Sequence, residues 1–137
     1  MSGPSSAPVA RKRPAKQLFA STVLGLEAMV VVFATLVAFG LRVAPAGAVW
    51  AAGGVLAVAL VLMAGAVRRP GGYVAGSVGQ VFLVAAGLVV PMMTVIAVVF
   101  VVLWVLALVL GGRVDAERAA WDAAHPGEGP GPVLPAR

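Results

Sequence analysis

The chain alternates between long apolar runs and short polar breaks. The first run, Leu18 to Leu41, has one charge in 24 residues, Glu27. A helix of that length is roughly 36 Å long, enough to cross a bilayer's hydrocarbon core of about 30 Å with some tilt. Arg42 closes it, and Pro45 with Gly47 reads as the turn. A second run spans Val49 to Val67, with Trp50 at its start, where interfacial aromatics gather. Arg68, Arg69, Pro70, Gly71 and Gly72 then form a tight polar break. From Tyr73 to Gly112 there is no charge at all. One helix of that length would be about 60 Å long, twice the core thickness. The pattern therefore predicts two spans, Tyr73–Val90 and Met92–Gly111, with Pro91 at the turn because it lacks the N–H a continuing helix needs. A kinked re-entrant pair is the rival reading.

The polar remainder fits around these spans. Residues 1–16 read as a disordered basic arm and 126–137 as a disordered Gly/Pro-rich tail. Residues 113–125 read as a short juxtamembrane helix. Asp115 and Glu117 near its start favour its dipole, and Trp121 suits the membrane surface. Small residues mark packing faces: Gly53, Ala57 and Ala64 on the second span, with Gly54, Val58 and Gly65 beside them, and Gly72, Gly76 and Gln80 on the third, with Gly79 adjacent. The expected fold is an all-α membrane protein of four transmembrane helices, as two antiparallel hairpins.

Composition agrees with the pattern. Hydrophobic residues make up 61% of the 137 and charged residues 11%, against roughly 45–50% and 25% in soluble domains. With no cysteine and one histidine, a disulfide framework, a thiolate site and a multi-histidine metal site are excluded. The net charge of +5 lacks the aromatic and hydroxyl interleaving of a nucleic-acid surface, so nucleic acid is not an expected partner. Its distribution is informative. With the N-terminus inside, Arg11, Lys12, Arg13, Lys16, Arg68, Arg69, Arg113, Arg118 and Arg137 lie on the inner side and only Arg42 on the outer. That bias predicts both ends in the cytoplasm, in the cytoplasmic membrane, with the basic residues near anionic lipid headgroups. A signal peptide cleaved at Ala46-Gly47-Ala48 is the competing reading. It fits poorly, because signal apolar regions run about 7–15 residues and this one is longer and holds an acid.

Glu27 is the first candidate for a site. It lies roughly 14 Å into the membrane from Leu18, where a carboxylate costs about 2.5–3.5 kcal/mol on insertion scales. Ala20, Ala34 and Ala38 share its face and point it at other helices. No intramembrane Lys or Arg exists to pair with it, so it is either protonated or reaches a hydrated pocket. Gln80 and Trp104 each lie roughly 10 Å from the same edge and complete a possible polar layer. The plain alternative for each is packing: an acid that sets register, an amide on a glycine face, a core indole. Arg68 and Arg69 are candidates for lipid or partner contact beside their role in orientation. His125 reads as a solvated tail residue. The Gly-rich pieces lie inside spans, which rules out phosphate loops. No Ser–His–Asp set, paired carboxylates or HExxH occurs, so no catalysis, cofactor or metal is expected.

The order LEAMVVVFATLVAFGL, RRPGGYVAGSVGQV, GLVVPMM, then Trp104 and Gly112-Arg113 resembles a family of small actinobacterial membrane proteins, catalogued as a domain of unknown function and commonly encoded beside folylpolyglutamate synthase. The resemblance covers about Lys16 to Arg118. It implies a four-helix membrane protein linked to folate metabolism by gene neighbourhood alone, and it assigns no functional residue. The chain is also similar to small multidrug transporters in length, span number and a glutamate in the first span. The dual-topology members of that class need near-zero charge bias, and the aromatic substrate chamber is not evident here. Two expectations follow. One is a non-enzymatic scaffold or accessory subunit that packs with itself or with a larger membrane partner. The other is a homo-oligomeric transporter that couples proton release at Glu27 to substrate movement.

Overall fold

The computed structural model describes residues 13–88 and 91–126. The arm and tail expectations for residues 1–12 and 127–137 lie outside the described residues. Four helices are present among the described residues: α1 Ala15–Gly40, α2 Ala46–Ala66, α3 Gly72–Gly87 and α4 Pro91–Ala124. α1, α2 and α4 are long and apolar enough to cross a membrane. α3 is apolar but has 16 residues, about 24 Å of helix. It ends at Gly87, the last two residues of the expected span, 89–90, lying outside the described residues, and Pro91 opens α4, where its missing N–H costs nothing.

Each boundary has a local cause. Pro14 and Pro45 precede α1 and α2 with extended ψ angles of 136°. Gly47 therefore lies inside α2 rather than in the turn. α1 ends in a Schellman arrangement: Val43 N donates to Ala38 O and Arg42 N to Phe39 O, both at 3.2 Å. Arg42 takes the left-handed position, φ 52°, that glycine more often fills. Between α2 and α3, Gly71 has φ 85°. A Cβ at Gly72 would collide with the Ala66 and Val67 backbone, so the turn closes only around glycine.

α1 packs on α2 and α4, and α3 packs on α4 and less extensively on α2. A glycine marks each of the four seams. A side chain at Gly53 would meet Thr35 across α1–α2, at Gly79 Met63 across α2–α3, at Gly76 Trp104 across α3–α4, and at Gly111 the Lys16 backbone across α4–α1. Gly54 and Gly65, on the neighbouring face of α2, meet nothing. The core is thin: Ala20, Leu24, Ala28, Leu60, Val67 and Trp104. Outside it, large apolar side chains face outward, with Phe82 71% and Leu62 68% exposed. In water such a surface would drive aggregation; in lipid it is already solvated. Ser21, Thr22, Thr35 and Ser77 each donate to a carbonyl three or four residues earlier, so their hydroxyls do not confront that surface unpaired.

α4 departs most from expectation. The span and the juxtamembrane helix expected after Gly112 are one unbroken helix of 34 residues, about 51 Å long. Trp121 lies ten residues past Gly111 on the same helix, roughly 15 Å further along its axis. Nothing between Gly112 and Ala124 breaks the backbone ladder: Gly112 is tolerated, and no proline intervenes before Pro126.

Candidate functional site

Three polar side chains are buried among the described residues: Thr35 faces Gly53 on the α1–α2 seam, while Glu27 and Gln80 meet between α1 and α3. Glu27 projects from α1 on the face shared with Ala20, Leu24 and Ala28, all buried. Gln80 projects from α3 one turn past Gly76 and two turns past Gly72; all three are buried, so the small-residue face of α3 turns inward. The two side chains meet across the bundle. Gln80 Nε2 donates to Glu27 Oε2 at 2.7 Å, with Glu27 4% and Gln80 3% exposed. α1 and α3 are not principal backbone neighbours, so this bond ties the two helices through side chains alone. Gln80 Oε1 is buried and has no hydrogen-bond partner.

Trp104 is also buried, on α4, and stacks its six-membered ring over Gly76. Its indole does not join Glu27 or Gln80. Trp104 Nε1 donates to Ser77 Oγ at 3.1 Å, and Ser77 Oγ donates to Tyr73 O at 2.9 Å. The three residues expected as one polar layer therefore fall into a pair between α1 and α3 and a separate hydrogen-bonded chain between α3 and α4. Ser77 was not singled out in the sequence; its position beside Gly76 and three residues before Gln80 is the signal that was available.

The end of the bundle near Lys16 holds a second polar cluster. Asp115, on α4, accepts from the first two N–H groups of α1: Ala15 N to Oδ1 at 2.6 Å and Lys16 N to Oδ2 at 3.0 Å. α1 has no capping side chain of its own. Asp115 thus serves the dipole of α1 rather than that of a helix it begins. Gly111, one turn earlier on α4, allows this approach. Lys16 Nζ sits 4.6 Å from the centre of the Tyr73 ring, a cation–π contact that brings the start of α3 to the same end. Arg68 and Arg69 are exposed on the α2–α3 turn at this end and form no ion pair among the described residues. His125 is not a free tail residue: its ring stacks on Trp121 at 4.3 Å and its Nδ1 donates to Trp121 O at 3.0 Å.

Among the described residues, no three His, Asp or Glu side chains gather into a group. Two open grooves lie on the outer surface. One, of about 390 Å³, runs between α1 and α2 past Gly25, Ala28, Met29 and Val61; the other, of about 330 Å³, follows α3 past Tyr73, Ser77 and Val81. Neither has Glu27 or Gln80 in its wall.

Residues 17–120 match a family described as protein of unknown function (DUF4233). The chain belongs to that family. The DUF4233 match takes in Glu27, Gln80, Trp104, Arg68, Arg69 and Asp115, and leaves Trp121 and His125 just outside. No curated protein and no solved structure matches the chain.

Proposed function

We propose that this DUF4233 protein is a non-enzymatic helical scaffold or accessory subunit of the cytoplasmic membrane, crossing it four times with both ends in the cytoplasm and packing against a second copy or a larger membrane partner. One observation carries the reading: the single intramembrane carboxyl is spent inside the bundle on Gln80, and neither outer groove reaches it. A transport site needs its titrating group to meet substrate or water. The cations support the orientation. Lys16, Arg68, Arg69 and Arg113 lie at the end marked by Asp115, and Arg42 lies at the other. The unpaired Arg68 and Arg69 are placed to meet anionic headgroups or an acidic partner surface.

One observation favours the transporter reading, the unpartnered buried Oε1 of Gln80. A membrane-permeant carbodiimide separates the two, because it modifies a carboxyl only where the reagent can reach it. The expected result is no labelling of Glu27 across the neutral pH range in the folded protein, together with a complex of fixed stoichiometry on mild extraction from native membranes. Labelling that fades as pH rises would overturn the scaffold reading.

A further inference from the structure

We infer that Glu27 is protonated and donates a hydrogen bond from that O–H to Gln80 Oε1, so that the two side chains form a closed acid–amide pair with two hydrogen bonds, a proton-binding site buried between α1 and α3. The starting point is the one acceptor left over. Gln80 is 3% exposed, its amide N–H is used on Glu27 Oε2, and its carbonyl oxygen has nothing to accept from. A buried acceptor without a donor costs about 1–3 kcal/mol, and native interiors rarely leave one so.

The donors nearby are accounted for. Trp104 Nε1 is spent on Ser77, Ser77 Oγ on the Tyr73 carbonyl, and Thr35 Oγ1 on the Val31 carbonyl. Of the two groups already in contact, a carboxylate has no hydrogen to give and a carboxylic acid has one. An amide and a carboxylic acid side by side are complementary: the amide N–H meets the acid's carbonyl oxygen, and the acid's O–H meets the amide's carbonyl oxygen. The first of these bonds is the 2.7 Å contact. With the proton on the other carboxyl oxygen, both partners are neutral and Gln80 Oε1 is satisfied.

No charge favours the ionised form. On α1 the other titratable groups are Lys16 and, just past its end, Arg42; past the end of α2 come Arg68 and Arg69; α3 has Tyr73; α4 has Arg113, Asp115, Glu117, Arg118 and Asp122. All lie at the ends of the bundle, and none contacts the pair. Burying an unpaired carboxylate at this depth would cost far more than burying the neutral acid. The inference does not depend on the scaffold reading, since a sealed acid and a gated one can both rest in this state.

Solid-state NMR of the full chain in phospholipid bilayers, with ¹³C-labelled glutamate, tests it. The chain has three glutamates, Glu27, Glu117 and Glu128, and Glu27 is assigned through its link to Ala28. At neutral pH the Glu27 carboxyl carbon is expected at the protonated position while Glu117 and Glu128 are ionised. In Gln80→Leu the Glu27 signal is expected to stay protonated but to shift, because its O–H has lost the amide acceptor. An ionised Glu27 in the wild-type protein overturns the proposal, and so does a protonated Glu27 whose signal is indifferent to Gln80→Leu. Should Gln80→Leu fail to fold, Gln80→Asn, which withdraws the amide by one methylene, gives the same comparison, and the wild-type spectrum decides the protonation by itself.

Discussion

Asp115 caps a helix that begins one hundred residues before it: its two carboxylate oxygens accept from the backbone of Ala15 and Lys16. The start of α1 is therefore held by α4, and the first and last helices close the bundle at that end. Removing a capping carboxylate costs about 0.5–2 kcal/mol. Asp115→Ala is expected to lower unfolding stability in detergent by an amount in that range, and Asp115→Asn by less, because its amide oxygen can still accept one bond. Glu117→Ala and Asp122→Ala, on exposed positions of the same helix, should change nothing measurable. Equal effects from all three would mean that the loss is one of net charge and not of a cap.

Gly76 faces the Trp104 ring with no room for a side chain. Gly76→Leu is expected to separate α3 from α4 and to cost about 1–3 kcal/mol or more, as overpacking does. Val81→Leu, on the outer face at 69% exposure, should be silent. Pairing Gly76→Leu with Trp104→Ala should recover part of the loss, since the space vacated by the indole is the space the leucine needs. Thermal unfolding in one detergent measures all four proteins.

The Glu27–Gln80 bond makes two substitutions unequal. Glu27→Gln keeps shape and a hydrogen-bonding partner for Gln80, and stability is expected within about 1 kcal/mol of wild type. Glu27→Ala leaves the amide of Gln80 with neither donor nor acceptor in a dry interior, and is expected to cost about 1–3 kcal/mol. Trp104 should not respond to either change, because its indole is bonded to Ser77; its fluorescence provides the readout. A Trp104 shift in Glu27→Gln as large as in Ser77→Ala would contradict the separation of pair and hydrogen-bonded chain.

Orientation is testable with a reporter active only in the cytoplasm. Fusions after Arg69 and after Pro126 should be active, and a fusion after Pro45 silent. The second junction at Pro126 keeps all four helices and the Asp115 cap of α1 in place. Activity after Pro45 would overturn the orientation proposed above.

The apolar runs by themselves determined the membrane class and the all-α fold, because a chain in lipid must satisfy its backbone internally, but not that the short helix expected over residues 113–125 is the end of α4. They also marked Glu27, Gln80 and Trp104 as the polar residues at depth, since so few exist. The tertiary structure decided which of these meet. Depth along a helix is a local quantity, counted at a fixed rise per residue, but rotation about the axis depends on what the neighbouring helix presents. So a similar distance of Gln80 and Trp104 from the ends of their spans could be counted from the sequence, while the bond from Trp104 to Ser77 instead of to Glu27 could not. Asp115 shows the same limit. Its short range in sequence suggested service to its own helix, and only the close approach of Gly111 to Lys16 delivered it to the N-terminus of another.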